Sequence, residues 1–323
     1  MLTKQHKIAI AAGLVVVTVG GGWLFAKHQA NVIAKDQIDG FIIRHNLGGT
    51  VAYRELSASP FGSATLSDVS VRLSPATAIT VGSLSVSDLT MKNNQVRGFT
   101  VTAEQAQVPL LALAREHRDN SFAEALGLGY TVLGGNITLS AHYDDEKNLI
   151  AIESAGAVDD AGSWEAKIKL GGVSPYAIDS LAAIASTPPQ QINALQALGA
   201  AAPALQTLVG TTVAKVELAV NVDGYRRRDA QVTNHDLPPE GPSTVPTGMT
   251  ANDEYKLVQA GMAPSEARAA REAVQSWLTK GGTLRIATNL DQPLPIFRNG
   301  SIMTPSFDSF DGFMAATKSR VSN

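Results

Sequence analysis

Apolar residues recur in three rhythms along this 323-residue chain. From Ile8 to Ala26 (IAIAAGLVVVTVGGGWLFA), nineteen residues pass without a charge. A helix of that length spans about 28 Å, close to the roughly 30 Å hydrocarbon core of a bilayer. Lys4 and Lys7 precede the run, Lys27 and His28 follow it, and Trp23 sits where an interfacial aromatic belongs. A cleaved signal peptide would carry a shorter apolar stretch ending in a small-x-small site. Here Ala26 leads instead into Lys27, His28 and Gln29. The pattern predicts a cytoplasmic tail over 1–7 and an uncleaved transmembrane helix over 8–26. Ala9/Gly13 and Thr18/Gly22 are small-xxx-small pairs, and Gly20, Gly21 and Gly22 lie in the same run. Gly13, Gly20, Gly21 and Gly22 are therefore candidates for helix–helix packing in a membrane, although glycine is also common in such helices for no special purpose.

Helical spacing follows at Val32, Ile33, Ile38, Phe41 and Ile42, with Lys35, Asp36, Asp39 and Arg44 between. Leu47-Gly48-Gly49 is a suitable stop. This predicts a juxtamembrane helix within 27–49, which either lifts the body off the bilayer or packs under the first sheet.

From Thr50 the period falls to two. Val51 and Tyr53 open a β-rich body over 50–235. Leu66, Val69, Val71 and Leu73 form a strand with one slip, read as a bulge. Ile79, Val81, Leu84, Val86, Leu89 and Met91 form another, with a second slip near Gly82. Val96, Phe99 and Val101 begin the next. The pattern is an antiparallel meander with one apolar face and one Ser/Thr face. Val108 to Leu128 returns to helical spacing, interrupted at Asn120-Ser121 by a predicted amino cap. Strands resume at Ile137/Leu139/Ala141/Tyr143, Leu149/Ala151/Glu153 and Trp164/Ala166/Ile168/Leu170, separated by acidic turns at 144–148 and 159–162. Ser174 to Val209 reads as an amphipathic helical pair, and Val213 to Val222 as a long strand ending near Tyr225. Residues 236–248 (DLPPEGPSTVPTG) are a proline-rich loop. Over 249–300 a helical pair, Asn252 to Met262 and Pro264 to Lys280, precedes a final strand at Leu284, Ile286 and Leu290. Pro264 suits a first helical position and Gly281-Gly282 a stop. Residues 301–323 read as a tail, docked as a loop or partly disordered. The fold class expected is α+β: a single N-terminal transmembrane helix, then a mostly antiparallel, curved sheet with amphipathic helices packed on it.

Composition narrows the chemistry. There is no cysteine, which removes disulfides, thiolate metal sites and cysteine nucleophiles. Charged residues are 17% of the chain and the net charge is −3, so no basic excess points to nucleic acid. No hydrolase elbow, paired-histidine zinc motif or phosphate-binding loop occurs. The acidic pairs fall at predicted turns, where Asp is ordinary turn chemistry. The sequence therefore supplies no catalytic, cofactor-binding or metal-ligating residue. Its one basic run, Arg226-Arg227-Arg228, is the candidate contact for lipid headgroup phosphates or an acidic partner. Few lysines and Ser/Thr/Ala-rich strands favour export, with the amino terminus cytoplasmic and the body periplasmic at a bacterial inner membrane.

The segments Leu-Ser-Asp-Val-Ser-Val (66–71) and Leu-Ser-Val-Ser-Asp-Leu (84–89), the membrane-type run before them and Gly-Gly-Thr-Leu-Arg-Ile-Ala-Thr (281–288) resemble AsmA-like and YdgA-like inner-membrane-anchored periplasmic proteins. That resemblance implies a curved sheet forming a groove and a role in phospholipid movement or outer-membrane homeostasis. It transfers no functional residue. The expected function is a non-enzymatic, membrane-anchored periplasmic protein whose sheet offers a groove to phospholipid or an edge to a partner. Alternatives are a structural subunit of an envelope secretion or surface-polymer complex, binding other envelope proteins or itself, and a hydrolase using scattered carboxylates.

Overall fold

The structure, a computed structural model, describes residues 35–36, 38–40, 42–43, 47–59, 63–92, 95–117, 122–176, 178, 208–233, 249–297, 307 and 309–323. It divides into two compact units. The first holds the described residues up to Asp144 together with Pro175, Tyr176 and 178. The second holds those of Asp145–Ser174 and Gln206–Asn323.

Among the described residues, no helix is long and apolar enough to cross a membrane. The expected fold class is corrected accordingly: the described residues form a mostly antiparallel sheet with short helices, and none of those helices is a transmembrane helix. The assignment to a bacterial inner membrane as a single-pass protein with a periplasmic body is corrected likewise, since no described helix supplies its anchor. Residues 8–26, with Gly13, Gly20, Gly21 and Gly22, lie outside the described residues, as do most of the amphipathic pair before Val209 and the proline-rich loop.

In the first unit, β1 (Val51–Ala52), β2 (Glu55–Ser59), β3 (Ser63–Arg72), β4 (Ala78–Lys92), β5 (Gln95–Val108) and β6 (Leu133–Asp144) form an antiparallel meander. The order is β1-β3-β4-β5-β6, with β2 also paired to β3. Alternation sends Leu66, Val69, Val71, Leu84, Val86 and Val101 into one core, where the helical residues Ile38 and Ile42 meet them. That segment therefore packs against the sheet. Asp39 fastens it, accepting a 2.6 Å hydrogen bond from the Tyr53 hydroxyl and pairing with Lys35. Two short helices, α1 (Leu110–His117) and α2 (Ala123–Gly127), follow β5. The cap of α2 is Phe122, which makes no side-chain capping bond, so the expected Asn-Ser cap does not serve it.

The slips expected in β3 and β4 have one cause. Ser67 pairs with Ser83 and Val69 with Val81, so Asp68 faces Gly82. On the other side Val81 pairs with Ala106 and Ser83 with Glu104, so Gln105 faces Gly82 too. Asp68 and Gln105 adopt left-handed φ values of 49° and 53°. Asp68 reverses the alternation of β3, turning a spacing of two into three at Leu66–Val69, and β4 makes the matching step from Val81 to Leu84 at Gly82, which has no positive φ. Glycine at 82 leaves room for the Gln105 side chain, which would have to shift if a Cβ stood there. The Gln105 N–H, turned out of the β5–β6 ladder, donates to Asn136 Oδ1 at 2.8 Å.

In the second unit, β7 (Leu149–Val158), β8 (Gly162–Gly171), β9 (Thr212–Asn221), β10 (Thr283–Ala287) and β12 (Arg320–Ser322) lie side by side, antiparallel where their registers are defined, and β11 (Leu294–Pro295) also pairs with β9. Helices α3 (Asp223–Thr233), α4 (Ala251–Gln259), α5 (Pro264–Lys280) and α6 (Phe310–Ala316) complete it. A Thr250–Asp253 capping box starts α4, and Pro264 at the first turn starts α5. Leu257, Met262, Ala267, Ala270 and Met314 form a compact helical core that reaches Ile286 and Val321.

Three features of this unit depart from the sequence expectation. The strand from Val213 stops at Asn221, whose side chain accepts from the Asp223 N–H at 2.9 Å, and a helix begins where a strand end was expected. Leu294-Pro295 does not merely end a strand. It forms a two-residue ladder at an edge, where a missing donor costs little. The tail is neither loop nor disordered over its described residues: α6 packs on α4, and β12 extends the sheet beyond β10.

Candidate functional site

Alternation in β8 places Trp164, Ala166, Ile168 and Leu170 on one face and Glu165, Lys167 and Lys169 on the other. The pairing registers then build rows across the polar face. One row reads Glu153, Lys167, Glu217, Ala287, Arg320. The next reads Ala155, Glu165, Ala219, Arg285, Ser322. Beyond the first row, Lys169 stands opposite Lys215.

A cleft of about 160 Å³ opens in this lattice, lined by Glu165, Lys167, Glu217, Ala219, Arg285 and Ala287 with the backbone at Leu218 and Ile286. Its floor is low because Ala219 and Ala287 interrupt rows of long side chains. Glu217 is committed to Lys215 at 2.8 Å. Glu165, Lys167 and Arg285 make no ion pair or side-chain hydrogen bond among the described residues. Exposed charges in register normally pair or are balanced by their cross-strand neighbours. Lys167 is balanced, lying between Glu153 and Glu217. Glu165 lies between Ala155 and Ala219, and Arg285 between Ala219 and Ser322, so neither has a charged neighbour in its row. Of the four charges that line the cleft, Glu165 and Arg285 are thus the two with no opposite charge beside them in their rows, and Ala219 of β9 stands between them.

The arginine run lies elsewhere, on α3. Arg226 donates from Nη2 to the Thr279 carbonyl at 2.8 Å and faces Asp223. Asp223 in turn accepts from the Gly282 N–H at 3.0 Å, so the corner after β9 is tied to the end of α5. Gly281 must be glycine there, because its φ is +82° and Asp223 and Arg226 fill the space a Cβ would take. Arg228 is half-buried and Arg227 exposed. Successive helical positions point about 100° apart, so the three guanidinium groups do not form a single surface. The acidic residues 144–148 and 159–160 occupy the turns or strand ends expected of them.

Among the described residues, no group of three or more His, Cys, Asp or Glu is placed to hold a metal. Three carboxylates are held below their ordinary range by hydrogen bonds: Asp39 by Lys35 and Tyr53, Asp253 by Thr250, and Asp291 by Lys318. The Tyr53 hydroxyl is pushed up by burial and by its bond to Asp39. Asp39 and Asp291 fasten one segment of the fold to another, and Asp253 closes the capping box of α4.

Sequence reasoning missed Glu165, Lys167, Glu217 and Arg285. Their types are legible in GSWEAKIKLG, TVAKVELAVN and TLRIA, but the site exists only through the registers of β8, β9 and β10. Neither a protein-family model nor a curated protein matches this chain.

Proposed function

We propose that this chain is a non-enzymatic binding protein whose site is the charged cleft on the second unit's sheet, and that it takes a charged polar ligand in place of an acyl chain. The observation that carries this reading is the pair of uncommitted opposite charges, Glu165 and Arg285, flanking Ala219 at the floor of the cleft. Acyl chains need a long apolar trough. The walls here carry Glu165, Lys167, Glu217 and Arg285, and about 160 Å³ falls short of the roughly 300–1,000 Å³ of drug-sized ligand pockets. A general acid needs a carboxyl raised toward neutrality. Among the described residues the shifted carboxylates move the opposite way and already serve structural bonds. Both facts favour binding over hydrolysis by scattered carboxylates.

Equilibrium dialysis of the full chain against a mixture of organic acids, amines and amino acids, beside flotation with phosphatidylcholine vesicles, tests the reading. Charged solutes should be retained at low ionic strength, and retention should fall as salt screens the exposed charges. Flotation with the vesicles and no retained solute would overturn it.

A further inference from the structure

We infer that the ligand of this cleft is a small zwitterion, an α-amino acid with little or no side chain, bound with its ammonium on Glu165 and its carboxylate on Arg285. The inference rests on the cleft being the binding site and adds the identity of the ligand class.

Three observations converge. First, Glu165 on β8 and Arg285 on β10 face Ala219 on the strand between them, so their Cα atoms lie two strand spacings apart, about 9.5 Å. That is too far for Glu165 and Arg285 to close on each other without leaning across the floor, and they make no ion pair. An α-amino acid carries its two charged groups about 2.5 Å apart from nitrogen to carboxyl carbon. A charge-assisted contact of about 2.7–2.9 Å at each end fills a gap of that order. A lone anion or cation can meet only one wall.

Second, the remaining charges do not compete. Lys167 stands between Glu153 and Glu217, and Glu217 is held by Lys215 at 2.8 Å. The lining charges with no opposite charge beside them in their own row are thus one carboxylate and one guanidinium. The planar guanidinium also suits a carboxylate better than an ammonium would, because it can donate two parallel hydrogen bonds.

Third, the floor sets the size. Ala219 and Ala287 provide the only depth, and about 160 Å³ admits a ligand of a few heavy atoms. Glycine and alanine fit. A long side chain would project into solvent and gain nothing.

Isothermal titration of the full chain at low ionic strength tests this, with glycine as the zwitterion and acetate and methylamine as single-charge probes. Glycine should bind about tenfold more tightly than either single-charge probe. Glu165→Gln should bring glycine down to the affinity of acetate, and Arg285→Gln to that of methylamine. Lys169→Gln, outside the cleft, should leave all three unchanged. Both replaced side chains are exposed, and unchanged far-ultraviolet circular dichroism will verify that the variants fold. If acetate and methylamine bind and lose affinity in the variants, but glycine gains nothing over them, the cleft is a charged binding site and the zwitterion inference is overturned. If none of the three binds, the inference and the site fall together.

Discussion

The polar faces of the two units are built on the same antiparallel pleat and end in different chemistry. In the first unit one whole row across the sheet is hydroxyls: Ser57, Thr65, Ser85, Thr102 and Thr138 stand in register, and Thr102 and Thr138 share a hydrogen bond at 3.3 Å. In the second unit the corresponding positions are charges broken by alanines. Short hydroxyls satisfy one another or water, whatever their neighbours are. Exposed charges are solvated by water and gain further only from a correctly placed opposite, which Glu165 and Arg285 lack in their rows. The apolar faces differ in the complementary sense. Leu66, Val69 and Val71 are buried in the first unit, whereas Ile168, Val216 and Leu218 are only half-buried in the second. The first sheet is organised for a closed core, and the second keeps its unsatisfied chemistry on the surface.

The largest expected effect tests that contrast in burial. Leu66→Ala removes a side chain that is 3% exposed and should cost about 2–4 kcal/mol, transfer and cavity together. Ile168→Ala, half-buried, should cost about half as much. Urea midpoints read together with amide exchange in each unit will check this, and equal losses would erase the distinction.

The next effect concerns the arginines. Arg226→Ala loses a charge-assisted bond to Thr279 and the Asp223 contact, and should cost about 1–2 kcal/mol. The loss should appear as faster amide exchange at the end of α5 and the start of β10. Arg227→Ala should fall within about 0.5 kcal/mol of zero, as exposed substitutions do. Equal effects would return the run to a single surface patch.

The smallest is the acid response of the first unit. The folded pKa of Asp39 lies below its unfolded value because Lys35 and Tyr53 bond the carboxylate. The stability it supplies is therefore complete above the unfolded value of about 4 and is lost as pH falls through the folded one. Asp39 is partly solvated, so the contribution is well under 1 kcal/mol. Asp39→Asn should flatten the part of the acid limb below pH about 4, measured by urea midpoint, and an unchanged limb would contradict the fastening role.

Much of the fold was legible where apolar residues carry the pattern. The jumps at Leu66–Val69 and Val81–Leu84 announced a break in alternation before any coordinates, because a strand must lose alternation to keep both ends in one core, and the structure places that break where Asp68 faces Gly82. Pro264 and Gly281 bracketed α5 for reasons of backbone geometry alone. Helix α3 was hidden because DGYRRRDAQVT shows no apolar stripe, and it is held by Asp223 and Arg226 reaching Gly282 and Thr279. Strand β12 was hidden because three residues have no period. The cleft was illegible for a different reason. Each of its charges looks like an ordinary solvated position within its own strand, and only the registers of β8, β9 and β10 reveal which charges face alanine.

The most direct measurement exchanges the two charges. In the double variant Glu165→Arg with Arg285→Glu, the cleft keeps one anion and one cation with their places reversed. A zwitterion can turn around, so glycine affinity lost in either single replacement should return to within a few-fold of the parent in the folded double variant. A double variant that stays as weak as the single ones, or single variants that never lose glycine, would contradict a site defined by opposite charges across Ala219.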